Sequence, residues 1–345
     1  MDTHKAIQAN TVGPWFHIVC IAITSLSIAA LIFINLHYFD AQEQMPRVDV
    51  VYNQDMVSSI PTIKTGIFMR DISDFDVLKG KFNFNLVIWF SFDPTKISQD
   101  LVDQFTFEKA KEDFRSAPVI RLDTEHERIV EYTLRLSVSM PLNYRHFPVD
   151  DHSLNLVLGN YVISPETAMF VTDPRWIIVN PEIHVEGWRF MNTDARAGHM
   201  VHSINPYNEK QIFDHARVVF SLNFERSGVR HLFSIILPML IIFFVTLFSF
   251  SINTRNSDYY NVVALSVGSV MALIAYRFVI ETISPNTAYF TISDYMFMFF
   301  LCATFTVLFI NALESSISAS KKKIVTVVLH VLTILVCAYF FAPWW

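Results

Sequence analysis

In the apolar stretch 261–280, Ala264, Ser266, Gly268, Ser269, Ala272 and Ala275 stand where neighbouring apolar stretches carry Phe, Leu, Ile and Val. A helix with one face in water needs such small and polar side chains, so the chemistry they suit is passage of ions along a lumen. Close helix packing is the other use of a small residue. Arg277, in the same stretch, is costly in hydrocarbon unless it meets water or a partner; near the outer end it can snorkel to the interface. His126, His146, His152, His184, His199, His202 and His215 lie in the polar middle of the chain, and imidazole titrates near physiological pH, which makes protons a candidate ligand. No nucleophile–base arrangement, His-Glu-x-x-His spacing or phosphate loop is present, so no enzyme is expected, and neither a metal nor a cofactor. The acids of "DTEHE", 123–127, read as a solvated strand connection rather than a metal site.

Such a stretch works only if the chain places it in a bilayer, and the composition does so. Of 345 residues 52% are hydrophobic and 17% charged, with a mean hydropathy of +0.35. Segments 15–36, 232–252, 261–280, 295–313 and 324–345 each approach the ~20 apolar residues a spanning helix requires. The first is longer than a signal-peptide core and lacks a small-x-small cleavage site, so an uncleaved signal anchor is expected, a signal peptide being the alternative. Lys321, Lys322 and Lys323 between the last two spans, and Arg255 between the second and third, mark the cytoplasmic side and put 45–227 outside. Cys20, Cys302 and Cys337 all lie in apolar stretches, so the polar domain has no internal disulfide. A net charge of -6 without a basic stripe argues against nucleic acid as a partner.

Between 60 and 227 the pattern has period two: "KFNFNLVIWFSF", "RIVEYTLRLSVSM", "HSLNLVLGNYV", "IHVEGWRFM" and "ARVVFSLNF" read as half-buried antiparallel strands of a β-sandwich. A short helical piece is expected within "DLVDQFTFEKAKEDF", 100–114.

The connection "PLNYRHFPVDDHSL", 141–154, carries an apolar Phe147-Pro148 edge followed by two acids, more than a turn between strands requires. It reads as a coupling wedge, with Asp150 facing Arg226. "FPVDDHSLNL", "GWRF", "TGIFMRDISDFDVLKGKFNFNLVIWFSFD", "FSIILPMLIIFFVTLFSF" and "NVVALSVGSVMALIAYRFVIETISPNTAYFTISDYMFMFF", placed in matching order across two domains, resemble the pentameric ligand-gated ion channels, the Cys-loop receptor superfamily, in its prokaryotic branch without the loop cysteines. The resemblance covers about residues 45–345.

It implies an extracellular or periplasmic all-β immunoglobulin-like sandwich (45–227), then an all-α four-helix transmembrane pore domain (228–345), with an extra N-terminal transmembrane segment (1–44) outside the usual plan. The protein would be a homopentamer in the lipid bilayer of the cell inner membrane, with the 314–323 loop cytoplasmic. Its lumen would be lined by Tyr260, Ala264, Gly268, Met271, Ala275 and Phe278, one helical face by their spacing of three and four. Met271 and Phe278 are candidates for a constriction that gates by dewetting, with packing between subunits as the alternative. Tyr260 stands where cation-selective relatives place a glutamate, and Ala264 and Gly268 where they place Thr and Ser. Asp258 and Glu281 would nonetheless form acidic rings at the two mouths, so permeant cations are expected. Coupling would run through Asp76, Phe147, Pro148, Asp150, Arg226 and Pro285. A small-molecule agonist, an amine by the aromatic lining, would meet Trp89, Tyr132, Tyr161, Tyr207 and Phe213; protons are the other candidate. A membrane-anchored sensory or scaffold protein without conduction is the alternative of a different class.

Overall fold

The computed structural model describes residues 12–35, 39, 41, 43–49, 60–203, 212–227, 229–252, 258–313 and 318–341. Two compact units emerge. A β unit comprises Asp40–Asn143 and Asp151–Ser227; a helical unit comprises Met1–Phe39, Gly228–Trp345 and the inserted segment Tyr144–Asp150.

The β unit is two sheets face to face. The larger joins β1 (Thr62–Asp76), β2 (Lys81–Phe92), β4 (Ala110–Arg115), β5 (Val119–Asp123), β6 (Arg128–Ser139), β8 (Met169–Val171) and β9 (Ile177–Val179); the smaller runs in the order β10 (Trp188–Ser203), β11 (Ile212–Arg226), β7 (His152–Asn160), β3 (Phe105–Phe107). Period two explains why each strand has an inside. Phe82, Phe84, Leu86, Ile88 and Phe90 of β2 are buried, while Asn83, Asn85 and Trp89 between them are half-buried. Register keeps the inner faces together: Ile88 pairs with Ile67 of β1 and Tyr132 of β6, and Phe220 of β11 with Leu156 of β7. Phe90 meets Phe105 across the sheets at 5.0 Å between ring centres, and Phe75 meets Phe224 at 5.2 Å. Each such buried ring contributes about 2–3 kcal/mol of transfer free energy, enough for a core without disulfides.

The short helical piece expected within 100–114 is present at the start of that stretch. Only Gln99–Val102 (α2) is helical; Phe105 and Phe107 are both buried as β3, and Lys109 turns the chain at φ 55° into β4. The Glu and Lys there have good helix propensity, but two phenylalanines at period two gain more by facing the core.

Gly66 of β1 has no room for a side chain: a Cβ would lie 2.5 Å from the Trp176 carbonyl oxygen and 2.7 Å from the Trp89 ring. Gly66→Ala should therefore destabilise the β unit by about 1–3 kcal/mol. Denaturant unfolding followed by tryptophan fluorescence, in which Trp89 and Trp176 pack at 5.6 Å, checks this; an unchanged midpoint would refute it.

The helical unit contains α1 (Pro14–Asn35), α3 (Val229–Phe248, with Pro238 inside it), α4 (Asp258–Ile283), α5 (Ile292–Ala312) and α6 (Ala319–Phe341). These five helices are long and apolar enough to cross a membrane. The N-terminal one is a packed member of the unit: His17, Thr24, Ile28 and Ile32 form a buried stripe at helical spacing. The Thr24 hydroxyl and His330 Nδ1 of α6 are 2.8 Å apart. Buried Asn311 of α5 donates to Ser249 Oγ, just past α3, at 2.7 Å and to Ser266 Oγ of α4 at 2.8 Å, tying three segments through one amide.

Candidate functional site

The side chains of α4 sort by face. Tyr260, Met271 and Phe278 are 79%, 61% and 68% exposed, and Ala264, Gly268 and Ala275 between them are exposed as well. A Cβ built on Gly268 would meet nothing within 4 Å. Val262, Ser266, Ser269, Val270, Leu273 and Ile280 occupy the opposite, buried face. The small residues thus divide between two uses: Ala264, Gly268, Ala272 and Ala275 keep the outer stripe thin, whereas Ser266 and Ser269 pack inward and return their hydroxyls to the Val262 and Leu265 carbonyls, each at 3.0 Å. Arg255 lies outside the described residues, as does the side chain of Asp258, with which α4 begins.

Arg277 does not stand alone. Its guanidinium donates to Asp294 of α5, lies 3.1 Å from the Glu281 carboxylate one turn on, and sits over the Phe297 ring at 5.5 Å. Asp294 also closes a capping box with Thr291 at the start of α5, accepting the Thr291 N–H at 2.8 Å. Sequence reasoning missed Asp294 because a single acid at a helix start reads as a cap. Glu281, expected in an acidic ring, is paired with Arg277 on its own helix.

The segment Tyr144–Asp150 is built into the same unit. The first N–H groups of any helix lack intrahelical partners; those of α5 donate to this segment, Ile292 to the Arg145 carbonyl at 3.1 Å and Ser293 to the Phe147 carbonyl at 3.2 Å. Tyr289, just before α5, accepts the Tyr144 N–H on its phenol oxygen at 2.9 Å, and the Arg145 guanidinium lies 5.6 Å from its ring. Phe147 is 1% exposed, Pro148 follows it through a cis peptide, and Asp150 is buried. Pro285, in the α4–α5 linker, is buried too. In the β unit, the Arg226 guanidinium lies over the Trp188 ring at 4.3 Å and its backbone N–H donates to Asp151 Oδ1 at 2.9 Å. Asp76, in the β1–β2 turn, pairs with Lys79 at 2.8 Å, and the ammonium holds its carboxyl below the usual range.

The aromatic candidates separate. Tyr132 is a correction: at 3% exposure, with its hydroxyl on Asp103 and its ring 5.1 Å from Phe105, it is a core residue with no face left for a ligand. Burial, with Asp103 beside it, pushes its phenol pKa up. Trp89 is half-buried against Trp176. Tyr161 is exposed at the end of β7 and stacks on His215 at 4.6 Å, with burial raising its phenol pKa. Glu108 lies 2.6 Å from Arg217 and 3.9 Å from His215 there. Phe213 occupies β11 opposite His202; the side chains of both, and all of Tyr207, lie outside the described residues. Of the acids at 123–127, Asp123 pairs with Arg128 at 2.9 Å and Glu127 accepts from Ser91 at 2.8 Å, so both are engaged in strand connections. Among the described residues no cluster of three His, Cys, Asp or Glu could hold a metal ion.

No family model matches the chain. A proton-gated ion channel of Gloeobacter violaceus is 25% identical to it over 73% of this chain and 74% of its own length. The chain is thus similar to an ion channel, in keeping with the resemblance of its motifs to the pentameric ligand-gated family. As in the expected plan of that family, a β-sandwich precedes apolar membrane helices, here with α1 added in front.

A titrating group in the β unit bears on such a relative. His199 of β10 is fully buried, and burial holds its pKa below the usual 6.5 although Asp214, 3.1 Å from Nδ1, opposes this. A lowered folded-state value means that the unfolded chain takes up the proton first, so the contribution is intact above about pH 6.5 and is lost as pH falls through the folded-state value. Acidification from pH 7 to 5 should lower the unfolding temperature of the β unit, and His199→Gln should flatten that dependence. Parallel pH curves for the two proteins would contradict the assignment.

Proposed function

We propose that the chain forms a homopentameric ion channel of the inner membrane, gated by protons or by a small-molecule agonist on its extracellular side, with α4 lining the lumen and cations permeating. The observation that carries this reading is the outer stripe of α4: six residues at spacings of three and four, thin in the middle and left uncovered by the chain's own helices. Five copies around an axis would cover that stripe with one another and leave its centre to water. Met271 and Phe278 would then form the apolar constriction. The α4 outer end, the α5 start and the Tyr144–Asp150 segment, already joined by hydrogen bonds, would carry the gating signal to it, with Asp150, Arg226 and Asp76 as further coupling residues. Protons are favoured over an agonist by the proton-gated relative and by the buried imidazole of His199; an amine agonist would use the exposed Tyr161 with Tyr207 and Phe213.

Charge and packing support the proposed orientation. Lys323 lies 6.0 Å from the ring of Phe16, so the start of α1 and the lysine run at the start of α6 share one side, the cytoplasmic one by the positive-inside tendency. Purified protein in a planar bilayer, with a salt gradient and the outer pH stepped from neutral to acid, tests the whole reading. A current reversing toward the cation equilibrium potential is expected. Reversal toward the anion side would overturn the selectivity, and silence through acid and an amine panel would overturn conduction.

A further inference from the structure

The coupling loop leaves β6 and re-enters β7 with no cysteine in or beside it, yet its two stems are held together. The Glu43 carboxylate accepts the Asn143 N–H at 2.9 Å and the His152 Nδ1 proton at 2.7 Å on one oxygen, and the Ser153 N–H at 3.0 Å on the other. The acid and the imidazole are 8% and 0% exposed at their side chains, so water cannot substitute for either. His152 is in turn set by the Trp188 ring, 5.3 Å away, on whose face the Arg226 guanidinium rests. The loop is thus gripped twice: at its stems by one carboxylate, and at Arg145 and Phe147 by the first N–H groups of α5.

We propose that Glu43, in the segment following the N-terminal helix, is a positioning residue for gating: a non-covalent brace that fixes the width of the loop stem and so the place at which Phe147 meets α5. The proposal rests on the channel reading. A carboxylate is suited to the task because it alone offers two acceptors to three converging donors; glutamine would turn an N–H₂ toward one of them. The brace sets the loop's position without touching ions or lumen, so its loss shifts the balance of closed and open states and leaves the open pore alone.

Amide hydrogen exchange and single-channel recording on the full-length protein test this together. In Glu43→Ala, exchange at Asn143 and Ser153 should accelerate about tenfold or more, as loss of a hydrogen bond to a charged acceptor produces, while β2 and β6 amides keep their protection. The activation midpoint should move at least severalfold at unchanged unitary conductance. Should the alanine variant misfold, Glu43→Gln gives the same readout with the volume kept. His152→Asn, which keeps a donor at the Nδ1 position, should retain most of the wild-type behaviour, whereas His152→Leu should not. Unchanged exchange at both amides overturns the brace, and faster exchange with an unmoved midpoint in a conducting channel overturns its role in gating. A wild-type protein that carries no current defeats the channel reading, and the gating role with it, while the exchange result still decides whether the brace exists.

Discussion

On the proposed channel reading, Gly268→Cys modified by a positively charged methanethiosulfonate should lose its current almost completely. The substitution itself is mild: a Cβ at Gly268 meets nothing within 4 Å, and Gly is a poor residue inside a helix, so α4 gains rather than loses stability. The effect comes with the charge. A fixed cation about 5 Å from a permeating ion costs roughly 3 kcal/mol at an effective dielectric near 20, or more than about a hundredfold in entry rate, and five copies exceed this. Cys302 is exposed and Cys20 half-buried, so the background should carry alanine at both. Ser266→Cys, two positions away on the buried face beside Asn311, should not react and serves as the internal control. A current that survives complete modification of the introduced thiol in Gly268→Cys would remove α4 from the lumen.

How far the molecule is legible in its sequence depends on whether a signal is local. Four of the five period-two segments emerge as strands where the pattern puts them, because each strand's inner face is written in its own residues; "IHVEGWRFM" is strand only from Trp188, after a turn through Glu186 and Gly187. The membrane helices emerge too, but begin earlier than their apolar stretches: α4 at Asp258 rather than 261, α5 at Ile292 rather than 295, α6 at Ala319 rather than 324. Hydropathy measures what faces lipid, whereas the backbone hydrogen bonds run on through the polar residues of the interface. The six residues of the exposed α4 stripe could be named from the family resemblance, but which of the small residues pack inward could not be read from the sequence. Ser266 points inward, where Asn311, 45 residues on, donates to its hydroxyl oxygen. Glu43, Asp294 and Tyr289 left no mark in the sequence. Each is an ordinary residue whose meaning lies in a partner brought by the fold, such as the donors 100 and 109 residues away for Glu43. Tyr132 failed for the converse reason: an aromatic on a period-two strand looks the same whether its face meets a ligand or Phe105.

Asp294→Ala should be the most damaging single change in the helical unit, because one carboxylate serves two structures. It closes the α5 capping box, worth about 1 kcal/mol, and it receives the Arg277 guanidinium, worth about 1.5–3 kcal/mol for a hydrogen bond to a charged group. With side-chain exposures of 14% for Asp294 and 30% for Arg277, solvent screens the pair only in part, so a loss of roughly 2–3 kcal/mol is expected. Asp294→Asn separates the contributions. Its amide oxygen can still accept the Thr291 N–H, so the cap survives, and only the charge on Arg277 goes unanswered; Glu281, at 3.1 Å, then holds the guanidinium within α4 and limits the cost. Arg277→Gln combined with Asp294→Asn should therefore cost less than the two single changes added, by about 1 kcal/mol in a double-mutant cycle read from thermal unfolding in detergent. Strict additivity would show that the two side chains do not act as a pair. Beyond stability, Asp294 stands one residue past the Ser293 N–H that holds the Phe147 carbonyl, and its other partner is Arg277 of α4. A shift of the loop must displace either the α5 start or Arg277, so Asp294→Asn should move the activation midpoint in the same direction as its loss of pairing energy while the conductance of the open pore stays where it was.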